Sequence, residues 1–163
     1  MTYIITEGAA GMQAIADTST TQRNPLGTVA RAVDATYGGG EFVYLAGAAN
    51  TAVASWVRYT EDDYATTLLG ADQIGQVAVA MSANVAAQYG WYQIKGKAVG
   101  KCLSGYADNG LVYATATAGS VDDAAVAGDR VKKALGASAI GTPSTGLAEF
   151  EIDRPFVDDG SAA

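Results

Sequence analysis

PLGTVARAVDATYGGGEFVYL, residues 25–45, carries the reading on which the fold turns. Over 28–33, Val29, Arg31 and Val33 alternate with Ala30 and Ala32, the period of two of an extended strand. YGGGE at 37–41 reads as a glycine-rich turn. Residues 41–45 then place Phe42 and Tyr44 on one face and Val43 and Leu45 on the other. This is a hairpin with apolar side chains on both faces of its second strand.

The same period continues outward. Residues 76–82 alternate Val77, Val79 and Met81 with Ala78, Ala80 and Ser82, and 146–153 alternate Ala148, Phe150 and Ile152 with Glu149, Glu151 and Asp153. Further short runs lie at 53–59, 111–117 and 131–138. Residues 89–95 and 97–104 flank Gly96 and read as a pair of strands. The sum is about nine strands with turn signals between them, which predicts an all-β fold: a single sandwich or barrel, jelly-roll-like. Residues 83–87 and 121–127 suit short helical turns at most. The predicted layout is an extended N-terminal arm over 1–24, a β domain over 25–157 and a flexible C-terminal tail over 158–163. The arm is expected to be ordered by a neighbouring subunit, with Tyr3, Ile4 and Ile5 as its apolar hook.

Composition narrows the function. The 163 residues fit one domain, and the net charge of −7 with scattered basic residues argues against a nucleic-acid partner. There is no histidine, so triads and Cys–His pairs are absent and most zinc or copper sites are unsupported. The lone Cys102 pairs with nothing within the chain and reads as a small buried hydrophobe. No apolar run is long enough for a membrane span, and the start MTYIITEGAAG lacks signal-peptide character, so a cytosol-like compartment is expected. Alanine and glycine dominate the apolar residues, so burial per residue is small and contact with a partner would add to it.

The constellations that could carry chemistry read more plainly as structure. Glu61-Asp62-Asp63, Asp122-Asp123 and Asp158-Asp159 lack an EF-hand pattern and read as solvated loop charge. Gly38-Gly39-Gly40 leads into a strand with Glu41, unlike a phosphate loop, and Lys95-Gly96-Lys97 has no following Ser or Thr. Neither a catalytic group, nor a cofactor site, nor a metal site is predicted. Opposite charges on 149–153 and on Lys95, Lys97 and Lys101, or Arg130 and Lys132, are set to pair across strands.

Pro25, Leu26, Gly27 and Arg31, then Tyr37, Gly38, Gly40, Glu41 and Phe42, then Met81, Asn84, Gln88, Tyr89, Gly90, Trp91, Gln93 and Ile94 stand in an order that resembles the head-decoration, or cement, proteins of tailed bacteriophages. The resemblance covers residues 24–155. It implies a structural virion protein on the outer surface of the capsid, not an enzyme. Its implied partners are the phage major capsid protein and further copies of itself, a dimer preferred over a trimer. Shell or subunit contacts are expected on the aromatic strands, with Tyr44, Trp56, Tyr59, Tyr89, Trp91 and Tyr92 as candidates, some of them core. The rival readings are a carbohydrate- or host-surface-binding β module on the virion and a hydrolase using carboxylates alone.

Overall fold

Twelve strands and no helix are found over residues 1–158, the residues described by the computed structural model. Every strand pair is antiparallel, and all the strands join one hydrogen-bonded sheet. The all-β single-domain expectation holds, in a form compatible with a sandwich or barrel.

The founding hairpin is β3 (Val29–Asp34) and β4 (Gly38–Ala46), paired from Val29↔Val43 to Asp34↔Gly38. Its turn is residues 35–37, not the glycines. Asp34 Oδ1 accepts the N–H groups of Thr36 and Tyr37 at 2.7 and 3.1 Å, and Gly38 closes the turn at φ 74°, a region glycine enters without Cβ strain. Gly39 and Gly40 belong to the strand.

Residues 89–104 correct the reading of two strands. They hold one 13-residue strand, β8 (Tyr89–Lys101), bent at Gly96. Its first half pairs with β4, from Glu41↔Lys95 to Ala46↔Tyr89. Its second half pairs with β12 (Leu147–Asp158), from Asp153↔Lys95 to Leu147↔Lys101. One strand thus serves two ladders, which is how a sheet turns a corner.

Around that corner the strands close on themselves. β5 (Trp56–Tyr59) pairs with β7 (Ile74–Ala80), β7 with β12, β12 with β11 (Arg130–Gly136), β11 with β9 (Leu111–Ala114) and β9 with β10 (Val121–Asp122). Just before β10, Gly119 O accepts the Trp56 N–H at 3.0 Å, and Gly119 N–H donates to Leu69 O at 2.7 Å, so the ring returns to β5. β6 (Thr66–Leu68) adds to β5. Trp56, Tyr106 and Phe150 fill the core of this ring with Val79, Val112, Val131 and several alanines. The indole of Trp56 stands edge-on to Phe150 at 5.0 Å.

The β4–β8 layer is covered on both faces. Val43, Leu45, Tyr92 and Ile94 pack on Val57, Tyr59, Ala78 and Ala80. On the other face, Phe42, Tyr44 and Trp91 pack on Tyr3 and Ile15 from the N-terminal segment. This corrects the expected arm. β1 (Ile4–Glu7) pairs with β3, β2 (Thr18–Ser19) pairs with β8, and the Trp91 indole N–H donates to Gln13 O at 2.8 Å. Gln13 Oε1 accepts the Tyr44 hydroxyl at 2.9 Å. Residues 1–24 are tied down by their own domain because β4 and β8 would otherwise leave aromatic rings in water. Asp158, placed in the tail by sequence, ends β12, and the rest of that tail, 159–163, lies outside the described residues.

Candidate functional site

Five of the six aromatic contact candidates are buried. Tyr44, Trp56, Trp91 and Tyr92 have no exposed surface and Tyr59 almost none; Tyr89 alone is half-buried. Trp91 and Tyr92 do point to opposite faces, but both faces are covered. A partner could reach the five buried rings only by opening the core.

The outward face carries something the aromatic reading missed. Successive register pairs align Glu7↔Arg31, Arg31↔Glu41, Glu41↔Lys95 and Lys95↔Asp153, a single rung across β1, β3, β4, β8 and β12 in which the charge alternates at every strand. Arg31 reaches Glu7 at 3.2 Å and Glu41 at 3.3 Å, Lys95 reaches Asp153 at 3.4 Å, and Arg154 closes on Glu41 at 2.7 Å. One residue pair further, Lys97 meets Glu149 at 2.5 Å. The expected pairing of the 149–153 acids with lysines of the neighbouring strand is therefore present. Such exposed pairs add only ~0–1 kcal/mol each. Their stronger effect is on register, since a slip of one residue would take Arg31 off Glu41 and set it against Gly40 or Phe42, turning the core face of the strand outward.

This rung crosses a shallow cleft of about 540 Å³ floored by Ala32, Gly39, Gly40, Gly96 and Ile152. Its walls carry as many basic side chains (Arg31, Lys95, Lys97) as acidic ones (Glu41, Glu151, Asp153), so net charge favours neither an anion nor a cation there. Above and beside the rung, large apolar side chains stand exposed as cross-strand pairs: Ile4 with Val33 on β1 and β3, and Leu111 with Leu135 on β9 and β11. In β3 the larger valines face out and the alanines face in, where Ala30 and Ala32 pack in the core with Tyr3 and Ile15 of the N-terminal segment.

The titrating groups have structural causes. Cys102 is buried and its thiol is pushed up to about 11, first by burial and then by Asp122 and Asp123, so it stays a protonated, weak nucleophile. Asp34 and Asp63 are held below the usual carboxylate range, each first by a backbone N–H, that of Thr36 and of Ala65. The acid clusters are occupied locally. Glu61 accepts from Gln76 at 2.6 Å, Asp63 from Thr60 at 3.0 Å and Asp123 from the Ala107 N–H at 2.9 Å. Among the described residues no three potential metal ligands gather. Asp159 lies outside them.

Burial raises the proton affinity of Tyr3, Tyr37, Tyr59, Tyr92 and Tyr106, with Tyr3 and Tyr59 pushed up to about 12. A raised folded-state value stabilises fully below the ordinary value of 10.0 and is lost as pH climbs through 12. Asp34, being lowered, stabilises above its ordinary 3.8 and is lost as pH falls below it. Melting temperature should therefore be level between these limits and fall on both sides. Tyr3→Phe with Tyr59→Phe should flatten the alkaline fall, read alongside tyrosinate absorbance; an unchanged alkaline limb would remove these two hydroxyls from the balance.

Comparison of the chain with known protein families, with curated proteins and with solved structures finds no match.

Proposed function

We propose that this protein is a structural virion component, a decoration protein that binds the outer surface of a tailed-phage shell through its major capsid protein. The motifs quoted above for the cement-protein resemblance support the role, and they build the centre of the domain: residues 25–45 make the β3–β4 hairpin, and 78–99 hold the end of β7 and most of β8. The observation that carries the reading is the outer surface itself. It joins cross-strand pairs of exposed apolar side chains to charges that are already paired, a surface suited to broad protein contact rather than to a small ligand. Binding free energy gathered over many such contacts would oppose expansion of a filled shell.

With the aromatic rings inside, the shell contact is assigned to Leu111, Leu135 and Phe156, exposed on β9, β11 and β12. A carbohydrate-binding module fits less well, because it would present aromatic faces to solvent, and both tryptophans are fully buried. The test is cosedimentation of purified protein with undecorated shells of the phage that encodes it. Wild-type protein should bind, and Leu111→Glu with Leu135→Glu should bind at least ~10-fold more weakly while melting normally. Wild-type protein that leaves shells bare would end the decoration reading; normal binding by the double variant would move the contact to another face.

A further inference from the structure

The sheet is closed at one end of its strand order and open at the other. β10 ends the order against the continuation of β8, where Cys102 bridges Val121 and the Leu103 N–H donates to Val121 O at 2.9 Å. β1 pairs with β3 alone, and among the described residues no backbone hydrogen bond ties its outer edge to another segment. Proteins ordinarily blunt such an edge with charge or proline. Here the edge is Thr2-Tyr3-Ile4-Ile5-Thr6, all strand-forming residues, with a charge only at Glu7. Ile4 is 69% exposed, more than any other large apolar side chain among the described residues.

We propose that β1 is the interface for a second copy of this chain, added antiparallel about a two-fold axis with Ile4 opposite its own counterpart. Tyr3 and Ile5 face the covered side while Thr2, Ile4 and Thr6 face out. Like faces stay together for an axis through any residue of this edge, and the axis through Ile4 is preferred because those through Tyr3 and Ile5 would set Ile4 against Thr2 or Thr6 and leave it without an apolar partner. An axis through Ile4 sets Tyr3 beside Ile5 of the second copy and Thr2 beside Thr6. An axis through Thr6 would instead press the Glu7 carboxylate against Ile5, and one through Thr2 leaves too little strand to pair. Because Ile4 is in register with Val33, the axis through Ile4 produces the row Val33–Ile4–Ile4–Val33 across four strands. The exposed isoleucine and valine of one copy thus become half of a continuous apolar row. The pairing is short, since a bulge interrupts β1 between Ile5 and Glu7, so the dimer is a weak, reversible one.

Sedimentation of the full chain across the micromolar range tests this, and the outcome does not depend on whether the protein binds a shell. The wild type should associate reversibly. Ile4→Lys should weaken association at least ~10-fold by opposing two ammonium groups, with an unchanged β spectrum, whereas Ile74→Lys, equally exposed in kind but remote from β1, should not. Ile4→Cys should cross-link rapidly on mild oxidation, because opposed residues place their Cα atoms ~4.5–5.5 Å apart, within disulfide reach. The native Cys102 is buried and does not compete. A wild type that stays monomeric, an Ile4→Lys that associates like wild type, or an Ile4→Cys that cross-links no faster than Ile74→Cys would each overturn the proposal.

Discussion

Trp91→Ala should destabilise the protein by ~3–5 kcal/mol, the range for removing a fully buried large aromatic. At this chain length that corresponds to a fall in melting temperature of roughly 6–20 °C. Three losses combine. The indole packs edge-on to Tyr44 at 5.0 Å, fills the space between β8 and the N-terminal segment, and donates to Gln13 O at 2.8 Å. Trp91→Phe should recover most of the packing but leave the Gln13 carbonyl without its donor, costing ~1–3 kcal/mol. Both are read by denaturant unfolding. If Trp91→Ala melted like wild type yet lost partner binding, Trp91 would be a contact residue after all, and the buried position described above would be wrong.

Gly96→Ala should be nearly as costly, though it adds a single methyl group. The backbone there sits at φ 102°, which L side chains rarely adopt, and a Cβ would meet Gly39 O at 2.5 Å and Gly40 Cα at 3.1 Å. Both obstacles are backbone, so no rotamer change relieves them. Gln93 Nε2 further pins the bend by donating to Lys95 O and Lys97 O, each at 3.2 Å. Strain of ~1–3 kcal/mol and overpacking of similar size give a combined cost of ~2–5 kcal/mol. Gly39→Ala is the control. A Cβ at Gly39 meets nothing within 4 Å, so that variant should be neutral or gain up to ~1 kcal/mol. Equal effects at the two positions would show that the close crossing of β4 and β8 is not what requires glycine at 96.

The six aromatics show where local reading stops. Alternation in 41–45 correctly sorted Phe42 and Tyr44 from Val43 and Leu45, and each pair does enter a different core. Apolar residues on both faces of a strand suit contact with a partner. The same pattern arises when a strand is covered on both sides by its own chain, and periodicity cannot distinguish the two. Gly96 failed for a related reason. A glycine between two strand-like runs is a turn if the chain reverses and a bend if it continues, and the choice lies with Gly39, far away in sequence. The charge rung could be foreseen in kind, as acids on 149–153 facing lysines, but not as a row through Glu7, Arg31 and Glu41, because that requires the order β1-β3-β4-β8-β12.

By itself the sequence determined what depends on neighbours along the chain: a period of two that makes strands, an acidic surface, a lone cysteine without a histidine to activate it, and the alternation that puts Phe150 inside and Glu149 and Glu151 outward. The tertiary structure alone decided what depends on residues remote in sequence: that residues 1–24 roof Trp91 and Tyr44, that β8 joins two ladders, and that the sheet closes at β10 and stays open at β1. The physical reason is that backbone geometry and side-chain alternation are properties of a few adjacent residues. Which face is dry, and which edge is paired, follows only from how the whole chain best hides its apolar surface and satisfies its hydrogen bonds.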